Sequence, residues 1–506
     1  MSLREVLFEG CRPEVLAGID GRIVAVGAAA RGQAAKDALV VQLRGEAWPG
    51  LADSHIHLQG LAELQLTLDL RRTRSLEAVL AKARQRSAGL GREAWLVGRG
   101  WYEDGWERPP HRKLLDEAGG GRPVALRRRD GHSTWFSSAA LQAAGISGET
   151  PDPPGGVIER DADGEPNGVL REKAVEMAEA AIPPPAEKEF DAALARSLNE
   201  LAALGLTAVH SMDPIATFSA LQRLRTQRPL PLRVTYNLPV SKLSYAERLG
   251  IRSGVGDDEL RIWGVKAFLD GSLGSGTAEM LDGSGVAVLP QPDLLDVVRR
   301  TADAELNLCL HAIGDGAVRR ALDALEPARG AWRRWRPRIE HAQCVDPQDW
   351  PRFAAAGVIA SMQPIHAVSD RDLADHRWAA RTASAYAWRP LLDAGAVLAF
   401  GSDAPVDDAS PLAGIEAATT WRRRAQWHPE LALSRRAALS AYTRGAAYAA
   451  GMEDDLGALT RGRLCDFTVV ENGRVTATVL GGRVTWRARS RQTPRKASPR
   501  SGRGAR

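Results

Sequence analysis

Cysteine is scarce in this chain of 506 residues: Cys11, Cys309, Cys344 and Cys465 are scattered without paired spacing. That excludes a disulfide framework and fits a reducing compartment. No apolar run is long enough without charge to span a bilayer. The opening Met1-Ser2-Leu3-Arg4-Glu5 lacks the apolar core of a signal peptide, so a cytoplasmic protein is expected. Internal repeats and heptads are absent. At the C-terminal end, 487–506 hold eight Lys/Arg and no Asp/Glu. This stretch of Arg, Ser, Pro and Gly has almost nothing to bury and reads as a disordered basic tail. Without it the net charge of +5 becomes −3, which removes the argument for a nucleic-acid partner.

The remainder has ordinary globular composition, 44% apolar and 25% charged, and is too long for one small core. Short strand-like runs occur near both ends, with Asp20-Gly21 as a tight-hairpin signal. Neither set has enough strands for a core alone, so together they predict one small β-domain. Between them, β-rich runs alternate with Ala/Leu/Arg-rich helical stretches, the pattern of βα units. Eight buried strands are expected, at 51–58, 206–210, 232–238, 262–268, 307–311, 337–341, 358–362 and 396–403. Eight is the strand count of a (β/α)8 barrel. Over a hundred residues separate the first two, far beyond a normal connection. Helices at 75–87 and 187–204 and strands at 94–97 and 124–126 mark that segment as an insertion at the barrel mouth. The expected fold class is thus α/β, a TIM-type barrel with a large insertion and a β-sandwich built from both termini. Its expected divisions are 1–48 with 452–486 (the composite β-domain), 49–64 with 196–451 (the barrel), 65–195 (the capping insertion) and 487–506 (the tail).

His55 and His57 are two apart at the end of the first strand, so both imidazoles point one way. Lys266 lies in the fourth strand, His311 ends the fifth, His341 the sixth and Asp403 the eighth. All sit toward the C-terminal ends, where barrels build active sites. Charged and imidazole groups inside apolar strands are costly unless paired or metal-bound.

With these residues in view, the chain resembles the amidohydrolase superfamily, and within it the amidohydrolase-3 family of YtcJ-like metal-dependent hydrolases and N-substituted formamide deformylases. The resemblance runs from the N-terminus to about Trp486. It is carried by Pro49-Gly50-Leu51-Ala52-Asp53-Ser54-His55-Ile56-His57, Gly264-Val265-Lys266-Ala267-Phe268-Leu269-Asp270-Gly271, and His311-Ala312-Ile313-Gly314-Asp315. Ile339-Glu340-His341-Ala342-Gln343, Ser361-Met362-Gln363-Pro364 and Gly401-Ser402-Asp403-Ala404-Pro405 extend it. The insertion matches through Arg127-Arg128-Arg129-Asp130-Gly131-His132 and Pro153-Pro154-Gly155-Gly156. One departure is Ser137-Ser138, where the family commonly has Asn-Ser; a substrate contact of that Asn would be lost here.

The resemblance implies two divalent metal ions, zinc being the expected metal. His55, His57 and Asp403 would hold one and His311 and His341 the other. Lys266, carboxylated by CO2, would bridge them. Asp403 would shuttle a proton from a metal-activated hydroxide to the leaving amine during cleavage of a C–N bond, an amide or N-substituted formamide. Trp101, His132, Trp135, Gln363 and His366 are the candidate substrate contacts. The rivals are a mononuclear deaminase-type or ester/lactone hydrolase, and an inactive scaffold. A small-molecule substrate without membrane or nucleic acid is expected, with a homodimer left open.

Overall fold

The computed structural model describes residues 4–91, 93–103, 106–128, 133–153 and 156–489. Its centre is an eight-stranded parallel sheet curled into a barrel. The staves are β1 (Leu51–Ile56), β2 (Leu206–Ser211), β3 (Arg233–Pro239), β4 (Leu260–Phe268), β5 (Asn307–Ala312), β6 (Arg338–His341), β7 (Ile359–Met362) and β8 (Val397–Phe400). They follow one another around the sheet in sequence order. Most positions are buried on both faces, which is why each reads as an apolar run rather than an alternation.

The seam between β8 and β1 is closed just beyond the strands. Asp403 N–H donates to the His55 carbonyl at 2.8 Å, and His57 N–H to the Ala404 carbonyl at 2.9 Å. Gly401 permits the approach, since a Cβ there would lie 2.5 Å from the His55 nitrogen. The Asp53 carboxylate stitches the seam by accepting from Ser402 Oγ (2.5 Å), Ser402 N (3.1 Å) and His55 N (3.0 Å). The barrel therefore closes directly beneath the residues at its mouth.

Both termini feed one seven-stranded sheet. The long strand Leu39–Pro49 pairs parallel with Val6–Arg12 and antiparallel with Phe467–Glu471, joining the two ends of the chain. One residue later it becomes β1. A buried ion pair, Arg233 on β3 with Asp466 at 2.6 and 2.9 Å, fastens this sheet to the barrel floor.

Between β1 and β2 the chain builds a six-stranded sheet, running from Gly156–Arg160 at one edge to Leu68–Asp69 at the other. Its helix Leu76–Ser87 starts where expected, Ser75 Oγ accepting from Ala78 N–H. Ser137 is also a cap: its Oγ accepts from Ala140 N–H and Val124 N–H and donates to the Arg122 carbonyl. The serine at this position thus holds the insertion together, fully buried. Of the expected basic tail, residues from 490 onward lie outside the described residues. Among the described residues no helix is long and apolar enough to cross a membrane.

Candidate metal centre

Ladder register decides which side chains share the mouth. Along β4–β5, Phe268 stands opposite His311; along β5–β6, His311 stands opposite Glu340 and Ala312 opposite His341. The imidazoles then crowd together, with ring centroids 4.7 Å apart for His55 and His341 and 4.5 Å for His311 and His341. Asp403 reaches in from β8: its Oδ1 lies 3.1 Å from His57 Nε2 and 3.6 Å from His55 Nε2. The ligand atoms of His55, His57 and Asp403 fall within 4.8 Å of one another, and so do those of His341, His366 and Asp403. His341 (φ 72°) and Asp403 (φ 59°) hold left-handed backbone conformations. Each costs non-glycine residues about 1–3 kcal/mol and persists only where the surroundings impose it.

Each ring has one nitrogen committed and the other turned inward. His55 Nδ1–H donates to Glu340 (2.7 Å) and His341 Nδ1–H to Gln363 Oε1 (2.8 Å), leaving both Nε2 atoms available, whereas His366 is held at both nitrogens, Nδ1 by Asp407 (3.0 Å) and Nε2 by Asp403 (3.4 Å). His311 is reversed: Nε2–H donates to the Gly271 carbonyl at 2.9 Å, so Nδ1 is its available atom. A second hydrogen bond that fixes tautomer and ring orientation is the usual support of a metal-binding histidine.

The protonation states suit a cation. Burial, then the nearby Lys266, pushes His55 down to about 4 and His311 to about 3, and burial with His311 sends His341 well below its ordinary value. All three are neutral bases at pH 7. Burial also lowers Lys266, favouring a neutral amine. Asp403 is held well below the carboxylate range: burial opposes ionisation, but the hydrogen bonds of His366 and His57 outweigh it. These same contacts with Asp403 and Asp407 lift His366 to about 10 against its burial.

Whether the pocket suits metal can be judged from its unmet polar atoms. His55 Nε2 and Lys266 Nζ are buried and have no hydrogen-bond partner among the described residues, and buried Asp403 Oδ1 is met only by His57 Nε2 at 3.1 Å. Stranding such groups costs about 1–3 kcal/mol each, more when charged. A divalent ion between imidazoles and carboxylate satisfies two of the three. A lysine ammonium beside that ion would not be tolerated, whereas a carbamate would. The donor set of imidazole nitrogen and carboxylate oxygen is that of zinc and its neighbours.

The remaining sequence candidates are placed differently. Trp101 and Trp135 are fully buried in the insertion's own core, 6.0 Å apart and packed on Trp106. Both rings therefore pack within the roof rather than on an open wall of the site. Gln363 holds His341, and His366 joins the cluster itself rather than a surface loop. His132 lies outside the described residues.

Sequence reasoning gave no role to Arg338 and Glu340, the charged pair under the centre. Arg338 Nε donates to Glu340 Oε1 (2.7 Å) and Nη2 to Glu340 Oε2 (3.0 Å), while Nη1 donates to His210 Nδ1 (2.8 Å). Nη2 also reaches Ser361 Oγ at 2.9 Å and the Ser54 carbonyl. One side chain thus ties β1, β2, β6 and β7, and through Glu340 it reaches His55. The signal was there: Arg and Glu two apart in a buried strand share a face, and buried charges of opposite sign need a partner.

A closed parallel barrel whose mouth gathers neutral imidazoles, an ionised aspartate and a desolvated lysine belongs to the class of metal-dependent hydrolases. The comparisons make this specific. The profile of the amidohydrolase family (Amidohydro_3) matches residues 40–486, and the chain belongs to that family. It is 32% identical over 493 residues to the YtcJ amidohydrolase of Bacillus subtilis (strain 168), covering 92% of each chain. To the N-substituted formamide deformylase of Arthrobacter pascens it is 27% identical, over 90% of this chain and 89% of that one. The crystal structure of an uncharacterized metal-dependent hydrolase from Pyrococcus furiosus superposes with TM-score 0.77 at 28% identity, covering 92% of this chain and 98% of that one.

Proposed function

We propose that this hydrolase cleaves a C–N bond in a small molecule, an amide or N-substituted formamide, with two divalent ions, preferably zinc, held at the barrel mouth. His55, His57 and Asp403 would hold one ion and His311 and His341 the other, with Lys266 as a carbamate between them. The observation that carries this is a pair of buried, unpartnered nitrogens, His55 Nε2 and Lys266 Nζ, beside an ionised Asp403 whose Oδ1 lies 3.6 Å from His55 Nε2. Bound divalent ions supply a water of lowered pKa and charge to stabilise the tetrahedral oxyanion.

The chain's own residues do the rest. Asp403 is ionised and lies against His57 and His366, so it is placed to accept a proton from the attacking water and return it to the leaving amine. His366 Nε2 lies 3.4 Å from Asp403 Oδ2 and its other nitrogen is anchored on Asp407, which holds the carboxylate in one orientation. Glu340 and Gly271 keep His55 and His311 in opposite tautomers. Phe268 stands half exposed beside His311, ring centroids 5.1 Å apart, and offers an apolar wall to the substrate.

The test is elemental analysis of the purified protein together with an amide and formamide panel, repeated on Asp403→Asn. Metal near two equivalents and formamide or amide turnover that falls by about 10²–10⁴-fold in the variant support the reading. Activity within tenfold of the parent removes Asp403 as the proton carrier. Turnover of esters or lactones alone, with one metal per chain, favours the mononuclear rival.

A further inference from the structure

The face of the insertion sheet turned toward the barrel carries an unusual row. Parallel register sets Asp69 beside Arg99 and Arg99 beside Arg127 on three adjacent strands. Side chains in register project from one face, and like charges directly beside each other repel. Two of the neighbouring guanidiniums are neutralised locally. Arg71 takes Asp69 with two bonds of 2.9 Å, and Arg127 takes Glu179 with bonds of 3.2 and 2.5 Å. Arg128, the next residue, is bonded to Glu103 at 2.7 Å. Arg99 is half buried, and no hydrogen bond or ion pair satisfies it. Partial burial, and then the Arg71 charge, push its pKa down, yet a guanidinium stays protonated at any working pH.

These four arginines open onto one cavity of about 430 Å³ whose opposite wall includes Gly60 and Pro405. Gly60 is three residues beyond His57 and Pro405 two beyond Asp403. The two touch, since a Cβ on Gly60 would lie 2.8 Å from the proline ring. Cavity and metal centre therefore share a wall. An anion entering from the mouth would meet Arg99, the one of these four guanidiniums that no carboxylate among the described residues bonds directly.

We propose that this seam between insertion and barrel binds an anionic group, a carboxylate at the non-scissile end of the substrate, with Arg99 as its partner. The role as substrate site rests on the proposed C–N hydrolysis. The oxyanion site itself does not, because free phosphate would satisfy the same guanidinium, and the test separates these sources.

Calorimetric titration of the metal-loaded enzyme with succinate, and separately with inorganic phosphate, reads binding without turnover. Succinate should bind the parent and Arg99→Lys, and its affinity should fall by about tenfold or more in Arg99→Gln, as expected for one charge-assisted contact. The kinetic arm compares N-formyl-6-aminohexanoate with its methyl ester. The parent should prefer the acid in kcat/KM, and Arg99→Gln should reduce that preference by about tenfold. Binding of neither succinate nor phosphate, or binding that survives Arg99→Gln, overturns the site. Phosphate binding without succinate binding, or an unchanged acid-to-ester preference, overturns the substrate role. If neither formamide is hydrolysed, the reaction fails as a reading while the two titrations still decide the site.

Discussion

Replacing Arg338 by Met is the sharpest test of how the centre is held. The side chain is fully buried and donates to Glu340, His210, Ser361 and the Ser54 carbonyl. Its removal leaves the Glu340 carboxylate buried without its guanidinium, the His55 N–H remaining as a donor. Breaking a buried pair by removing one partner costs about 3–5 kcal/mol, whereas replacing both partners by apolar groups is often neutral. Arg338→Met should therefore destabilise the protein by about that amount, and Glu340→Leu, which leaves the guanidinium unpaired, by a comparable one. Combining Arg338→Met with Glu340→Leu should recover part of the loss. Guanidinium unfolding at matched slopes measures all three, and a double-mutant cycle gives the coupling. The pH dependence has a definite sign. Burial opposes ionisation of Glu340, but the Arg338 charge outweighs it and holds the carboxyl well below its ordinary value. A depressed carboxylate contributes stability that is complete above its unfolded pKa of about 4.3 and is lost as pH falls through the folded value. The parent's stabilisation by this carboxylate should thus be flat from pH 8 to pH 5 and fall only in stronger acid, whereas in Arg338→Met the unpaired carboxyl, raised by burial, should gain stability on protonation. A single-variant cost below about 1 kcal/mol, or strictly additive double-variant effects, would refute the claim that this pair clamps the barrel.

Lys266→Met should lower metal content from two equivalents toward one by elemental analysis, since it removes the only buried amine able to bridge. Gln363→Leu should weaken metal binding by about 10–100-fold in a competition titration with a chromophoric chelator, because His341 loses the hydrogen bond that orients it. The cysteines should be inert: burial pushes Cys11 up to about 11 and Cys309 and Cys344 to about 12, and raises Cys465 too. A thiol reagent should find no reactive group in the folded protein at pH 8 and four after denaturation.

The barrel was legible because its strands are buried on both faces, and each expected stave overlaps an observed one with its ends displaced by at most three residues. β1 stops at Ile56 rather than continuing through the second histidine, because His57 already caps the next helix. The long strand Leu39–Pro49 was not legible as one element. Its burial mixes exposed and buried positions without strict alternation, and a bulge interrupts its pairing. Two insertion strands, Gly156–Arg160 and Pro166–Glu172, were hidden by glycine, proline and charge. Such strands are set by cross-strand partners far along the chain, which a local pattern does not contain.

The site divides along the same line. Histidines at strand ends announce themselves, because an imidazole has no cheap place in an apolar run. What supports them does not. Ser137 stands where the resembled family commonly has Asn, and it caps a helix in the roof. Trp101 and Trp135 are large and aromatic, the usual credentials of a pocket lining, but they fill the insertion core. Conversely, Glu340 earns its role only through Arg338 below and His55 across the barrel, 285 positions earlier. The ligating chemistry of this centre is written locally, and its orientation is written in contacts between staves. Changes in the supporting residues should therefore alter metal affinity before they alter the reaction performed.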